Sequence, residues 1–346
     1  MTNIKSDIRK TDIEKLSAFL VSIGEKKFRA KQIIEWLWSK SSWSIDEMTN
    51  LSLKTREALK KEFDIYPVTI DSFQKSNDST IKYAFQLHDQ HQIEGVLIPT
   101  ESRMTACISS QVGCSLTCKF CATGYMKRMR NLDPAEMYDQ VVHITKQANE
   151  HYDAALSNIV YMGMGEPLLN YANVLQSIDL ITSPTGLGMS LKRITVSTAG
   201  IAKQIKKLGD DKVKFNLALS LHAANDEKRN EIMPINESNT LKALEEALLY
   251  FYKRTGTKVT FEYIIFNGFN DSLKDAEELL NFTKRIPSKV NIIEYNPIEQ
   301  ATFKNAEEDK IDAFKNYLEK NKVTVNVRRS RGKDIDAACG QLAGKK

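Results

Sequence analysis

The chain has no apolar run approaching the roughly 18 residues that a membrane-spanning helix requires. It also lacks internal repeats and low-complexity stretches, which sets aside a solenoid or a flexible tether. Its first residues, MTNIKSDIRK, lack the apolar centre of a secretion signal, so a cytoplasmic location is expected, with no membrane partner. Charge of one sign is not abundant either. A net charge of +5 permits an acidic partner without demanding one, so charge clustering must decide the matter. Cysteine is scarce, with only five residues: Cys107, Cys114, Cys118, Cys121 and Cys339. In a reducing compartment so few thiols point to metal binding or catalysis rather than a disulfide framework.

What is present reads as an ordinary globular chain of 346 residues, 42% hydrophobic and 27% charged, long enough for a barrel-sized domain and a companion. Residues 1–75 are expected to form a helical accessory unit. Ile13, Leu16 and Leu20, then Ile33, Ile34 and Leu37, follow helical spacing around an aromatic group made by Trp36, Trp38 and Trp43. Lysines and arginines at 26, 27, 29, 31, 54, 56, 60 and 61 make this unit either a solvated face or an RNA-contacting surface. Residues 76–99 read as a β-hairpin, Ile81–Leu87 and Ile93–Pro99.

Residues 100–346 then alternate strand and helix. Strands are expected at Met104–Ser110, Asn158–Met162, Arg193–Ser197, Lys214–Ser220, Lys258–Ile265 and Val290–Tyr295, with a last one at Val323–Val327. Six alternations imply a parallel α/β sheet, either a partial (β/α)6 barrel or an open doubly wound sheet. Asp133-Pro134, Asn239-Thr240 and Asp271-Ser272 mark helix starts, and a further helix is expected over Glu307–Lys320.

The chemistry concentrates in GCSLTCKFCATG after the first of these strands, where Cys114, Cys118 and Cys121 have C-x3-C-x2-C spacing. Ligands so close in sequence must come from a loop wrapped around its metal. Structural zinc sites want four ligands; this loop offers three, so zinc would need a distant Cys or His. A 4Fe–4S cluster held by three thiolates instead leaves one iron open for a chelating cofactor. The segment YMGMGEPLLN contains Gly163, Gly165 and Glu166, but Leu168 spoils a GxGxxG dinucleotide reading. Ser197, Ser220-Leu221-His222 and Asn296 stand at later strand ends, where parallel α/β sites form. A lone His such as His222 is more often structural.

The cysteine spacing resembles the radical S-adenosylmethionine (SAM) superfamily, and GMGEPLLN resembles its glycine-rich motif. That resemblance implies a partial barrel, SAM chelated to the open iron, and a 5′-deoxyadenosyl radical. Gly165, Glu166, Ser197, Ser220, Leu221, His222 and Asn296 are the residues expected to bind SAM. ACISSQVGC, SLHAANDEKRNEIMPIN and RRSRGKDIDAACGQLAG narrow the resemblance to the RlmN/Cfr class of radical SAM RNA methyltransferases, across nearly the whole chain. Pro167 matches the branch acting on adenine C2.

The class implies that Cys339 is methylated by one SAM, becomes a methylene radical through a second, and adds to adenine. It further implies that Cys107 resolves the adduct through a transient disulfide, with Glu94 accepting a proton. Without the resemblance Cys107 would read as a buried strand thiol and Glu94 as an exposed hairpin carboxylate. Implied partners are 23S rRNA, tRNA and an electron donor such as flavodoxin or ferredoxin, and a monomer is expected. Lys127, Arg128 and Arg130 beside the cysteine loop, with Arg328, Arg329, Arg331 and Lys333 before Cys339, are candidates for phosphate contact. The alternatives are a C8 methyltransferase of the same class and a non-catalytic zinc protein that binds RNA.

Overall fold

The computed structural model describes residues 5–344. Three helices lead the chain: α1 (Ile13–Ser22), α2 (Arg29–Ile34) and α3 (Leu53–Glu62). Asp12 and Ser52 cap the first and third by accepting the backbone N–H groups of Lys15 and Thr55.

A ten-stranded open sheet follows, its strands adjacent in chain order. Strands β1 (Thr69–Lys75), β2 (Ile81–Gln86), β3 (Gln92–Thr100) and β4 (Arg103–Cys107) form an antiparallel meander. From β4 onward every neighbour is parallel: β5 (Asn158–Tyr161), β6 (Ile194–Thr198), β7 (Asn216–Ser220), β8 (Val259–Ile264), β9 (Ser288–Ile293) and β10 (Val325–Arg328). This is the expected α/β core with its parallel sheet and hairpin extension. Strand β1 is additional. Its sequence, TIDSFQK, is mostly exposed and carries no apolar alternation, because an edge strand is held by pairing with β2 rather than by burial.

The crossovers are α4 (Pro134–Tyr152), α5 (Tyr171–Thr182), α6 (Ala202–Asp210), α7 (Asp226–Ile232), α8 (Leu241–Thr255), α9 (Leu273–Arg285) and α10 (Glu308–Lys320). Leu241, Leu244, Leu248 and Phe251 of α8 line one buried stripe, as do Ala276, Leu279, Leu280 and Thr283 of α9. The four sequence-expected helices are α4, α8, α9 and α10. The Asp133 N–H is bound by Glu136, and Ser272 caps α9. β8 is buried at every position, as a strand covered on both faces must be.

The three tryptophans do not form a separate aromatic core. Trp38 packs edge-on against Tyr138 at 5.2 Å, and Trp43 stacks on His143 at 4.4 Å, both partners lying on α4. Beside them Arg9, 2% exposed, pairs with Asp139 at 2.8 Å and Asp7 at 2.9 Å. Only Trp36 stays within the helical unit, donating to Asn50 and lying 3.8 Å from the Lys40 ammonium. The helical unit is therefore seated on α4 through a desolvated ion pair and two aromatic contacts.

Candidate active site

The C-terminal ends of the parallel strands surround a cavity of about 160 Å³ that opens to solvent. Cys114, Cys118 and Cys121 all stand on its wall, with Gly165, Glu166, Ser197, Ser220, His222 and Cys339. The loop carrying the three thiols is closed by its own backbone. Cys121 N–H donates to the Cys118 carbonyl at 3.2 Å, and Gly124 N–H donates to the Cys121 carbonyl at 2.8 Å. Gly113 has φ +73° with the Lys127 carbonyl 2.2 Å from where a Cβ would lie, so no other residue fits at the loop's entrance.

Beneath the loop lies an apolar patch that includes Leu116, Phe120, Ile232, Met233, Ile264 and Phe266, and the three cysteines pack against it. Burial accordingly pushes the Cys114 thiol up to about 11 and raises Cys118 and Cys121, with the charges of Cys121 and Cys114 adding at Cys118 and that of Cys339 at Cys121. Three soft donors on a common low-dielectric wall fit an iron–sulfur cluster, whose iron would supply the positive charge that deprotonates them. Among the described residues no three His, Cys, Asp or Glu side chains stand at single-ion coordination distances, so this fit rests on donor chemistry and shared position.

The polar groups around the wall fit a small zwitterionic ligand. Glu166 is buried, and its two carboxylate oxygens accept the Leu168 N–H at 3.0 Å and the Ala199 N–H at 2.7 Å. Burial raises its pKa, and those hydrogen bonds oppose the rise. Glu166 thereby ties the turn after β5 to the end of β6. His222 is held neutral, its pKa driven down to about 3 by burial and then by Arg229. Its Nδ1 accepts the Ile264 N–H at 3.1 Å, which leaves Nε2 as the protonated donor. The hydroxyls of Ser197 and Ser220 make no hydrogen bond among the described residues. Asn296 Oδ1 is buried without a partner, while its Nδ2 donates to the Cys339 carbonyl at 3.2 Å. Unmet polar groups of both kinds beside a cavity are what a bound polar cofactor would satisfy.

Besides Asn296, three more sequence-expected residues lie off the cavity wall. Leu221 is fully buried, since its side chain enters the core while its carbonyl accepts from Arg229. Cys107 ends β4 behind the wall; burial pushes its thiol up to about 12, with Cys339 close enough to add to the rise. Glu94 is 2% exposed rather than a surface carboxylate. Its Oε2 accepts the N–H groups of Ala343 and Gly344 at 2.8 and 3.2 Å, and Lys82 lies 3.6 Å from Oε1.

Cys339 itself is reachable from the cavity mouth though ringed by protein. Burial raises its thiol, and Arg328 draws it back down. The tail holding it lies on the cysteine loop. Ala122 N–H donates to the Gly340 carbonyl at 2.7 Å, and the Thr123 hydroxyl donates to the Leu342 carbonyl at 2.6 Å.

Sequence reasoning gave no role to Arg229 or Glu262. Arg229, fully buried, donates to the carbonyls of Ala199, Ser220 and Leu221 and to Asn236, stitching two strand ends beside Cys118. Glu262 faces the cavity and lies 3.4 Å from Arg328. A charged residue inside the apolar strand VTFEYI was the available signal. The tail's basic run is largely neutralised: Arg329 pairs with Glu294 and Glu308, and Lys333 pairs with Glu294. Arg130 likewise is bound by Asp89 and Glu136. Lys127 and Arg128 have no carboxylate partner among the described residues, and both are exposed.

Residues 6–65 match the ribosomal RNA large subunit methyltransferase N-terminal domain, and residues 108–283 match the radical SAM superfamily. The chain is 63% identical, over 98% of its own length and 93% of the relative's, to a probable dual-specificity RNA methyltransferase RlmN of Cytophaga hutchinsonii. It is 43% identical, over 99% and 97%, to a dual-specificity RNA methyltransferase RlmN of Geotalea uraniireducens. A crystal structure of a radical SAM methyltransferase from Sphaerobacter thermophilus superimposes with a TM-score of 0.92 at 36% identity, covering 98% of this chain and all of that one. The non-catalytic alternative falls away with these matches: the chain belongs to the RlmN family of dual-specificity radical SAM RNA methyltransferases.

Proposed function

We propose that this chain methylates C2 of adenosine in the peptidyl-transferase region of 23S rRNA and at the position 3′ of the tRNA anticodon, with Cys339 carrying the methyl group. Cys114, Cys118 and Cys121 would hold a 4Fe–4S cluster, and Ser197, Ser220, His222 and Asn296 would hold SAM, with Gly165 and Glu166 shaping its seat. When bound, cluster and SAM supply an electrophilic methyl group and the one-electron chemistry needed at an unreactive ring carbon. The chain's own contribution is to present sulfur. Cys339 must lose its proton to accept the methyl group, and Arg328 favours that charged form. With Cys339 joined to C2 through the methylene carbon, the Cys107 thiolate attacks the Cys339 sulfur and an S–S bond forms. The S–C bond breaks with its electron pair going to that carbon, which takes a proton to become the methyl group, and the unpaired electron of the adduct returns to the reductant carrier. Glu94 accepts the proton leaving C2, which requires Ala343 and Gly344 to release its carboxylate.

An adenine reaching this cavity must leave its stack. Lys127 and Arg128, exposed just after the cysteine loop, and the exposed Lys26, Lys27, Lys31, Lys54 and Lys61 of the helical unit, are assigned to RNA phosphates. A flavodoxin- or ferredoxin-type carrier is the assigned reductant, acting on a monomer. The observation that carries the proposal is the fastening of the Cys339 tail onto the cysteine loop through Ala122 and Thr123.

The test is an anaerobic assay of rRNA and tRNA fragments with methyl-labelled SAM, followed by nucleoside analysis. Labelled 2-methyladenosine is expected from both, and Cys107→Ala should leave RNA covalently attached through Cys339. Exclusive 8-methyladenosine would overturn the C2 assignment.

A further inference from the structure

Cys339 lies in a tail segment that is fastened on both sides, and the two fastenings differ in kind. Downstream, the tail is held by single hydrogen bonds to Ala122, Thr123 and Pro297 and by two backbone N–H groups on Glu94, the residue assigned above to proton transfer. Upstream, it is clasped reciprocally to the turn between β1 and β2. The Ser76 hydroxyl donates to Asp334 Oδ1 at 2.5 Å, and the Asn77 N–H donates to Asp334 Oδ2 at 3.1 Å. In return the Gly332 N–H donates to Asp78 Oδ2 at 2.8 Å, and Arg331 donates to the Asp78 carbonyl at 3.1 Å.

The contact is built closely. Gly332 has φ +69°, and a Cβ there would lie 2.7 Å from Ala337 Cβ and 3.0 Å from Thr80 Cγ2. The Ala337 N–H donates to the Gly332 carbonyl at 2.9 Å, closing a compact loop two residues before Cys339. On the other side of the clasp, the turn is ordered by its own bonds. The Asp78 N–H donates to Ser76 Oγ at 3.2 Å, and the Thr80 N–H donates to Asp78 Oδ1 at 3.0 Å. Each aspartate thus serves the strand turn and the tail together, across more than 250 residues of sequence.

We propose that Asp78 and Asp334 are positioning residues for Cys339, forming the fixed pivot from which the tail's free end swings away from Glu94. This rests on the assignment of Cys339 as methyl carrier. The physical need is clear from that role. The same sulfur must meet a methyl donor, then a base, then Cys107, so its segment has to move without losing its register. A strap released at both ends would lose that register, and one fixed at both would keep Glu94 occupied. Charged acceptors upstream and mostly neutral hydrogen bonds downstream set which end lets go.

The experiment compares the iron-loaded full-length enzyme with its Asp78→Ala/Asp334→Ala variant. Expected are an unchanged iron content, an RNA KM within about twofold and a kcat lowered about 10- to 100-fold, since misplacing a reacting atom by an ångström has that scale of effect. Asp334→Asn, which keeps a carbonyl acceptor for Ser76 or Asn77, should recover part of the loss. An unchanged kcat, a rise in KM alone, or loss of iron would each overturn the proposal. A readout independent of catalysis is alkylation of Cys339 by iodoacetamide, expected to accelerate several-fold in the double variant. An unaltered alkylation rate overturns the pivot. A wild-type enzyme that yields no methylated adenosine removes the function proposed above and leaves the alkylation result to judge the clasp.

Discussion

The cysteine loop and the C-terminal tail face one another across a single cavity, yet they are held by opposite means. The loop closes on itself through Cys121–Cys118 and Gly124–Cys121 backbone bonds and rests on an apolar floor. The tail around Cys339 is fastened chiefly by partners distant in sequence: Asp78, Glu94, Ala122, Thr123, Asn296 and Pro297. A cluster ligand must keep one geometry, and local closure with burial supplies that. A sulfur that changes partners needs a segment whose contacts can be exchanged, and long-range hydrogen bonds at a solvent-open edge supply that instead.

The sharpest way to break this comparison is to remove one sulfur from each side. Cys118→Ala should lose both iron and methylation, whereas Cys339→Ala should lose methylation with iron retained. Each drop is expected to exceed about a thousandfold, as for removal of a catalytic nucleophile. Iron analysis alongside the methyl-transfer assay reads both, and loss of iron from Cys339→Ala would make that cysteine a cluster ligand.

A smaller effect tests the floor of the loop. His222 packs edge-on under Phe120 at 4.7 Å and stays neutral with its pKa driven down to about 3, so the unfolded chain binds its proton first as pH falls. Stability from this site is complete above about pH 6.5 and declines as pH drops toward 3. Between pH 6.5 and 5 the loss from one such group is limited to about 2 kcal/mol, at 1.4 kcal/mol per pH unit. Burial also lowers the pKa of His143 on α4, which adds a loss of the same sign as pH falls. Urea midpoints at pH 7, 6 and 5 should fall less in His222→Gln than in wild type, and identical slopes would remove His222 from the account.

The smallest effect separates the charges flanking the two segments. Lys127→Ala with Arg128→Ala should weaken RNA binding at all sequences and lower the slope of log affinity against log salt by about 2, one per released phosphate contact. Arg329→Ala should change affinity by less than about threefold, because its guanidinium already belongs to Glu294 and Glu308. Equal effects from the two sets, in salt-titrated binding assays, would erase the distinction.

Much of the fold was legible because its signals are local. Alternating apolar runs and Asp133-Pro134, Thr240 and Ser272 placed strands and helices within a few residues, since caps and burial patterns act within one turn. Strand β1 was not legible, because its stability comes from hydrogen bonds to β2 and not from its own composition. The site divided similarly. Cys114, Cys118 and Cys121 are ligand-like by spacing alone, and Glu262 stands out only as a charge within an apolar strand, while Arg229 looks like any charged residue until the fold buries it.

The sequence by itself determined which atoms are available: three clustered thiols, two separated ones, and the strand-end hydroxyls and amide that surround them. Tertiary structure alone decided which of these meet. It set Cys339 over the cysteine loop, gave Glu94 to the tail amides, and seated two tryptophans on α4 instead of in a core of their own. The reason is range. Ligand spacing and capping are written within a few residues, whereas ion pairing, desolvation and hydrogen bonding across hundreds of residues exist only once the sheet has brought the partners together.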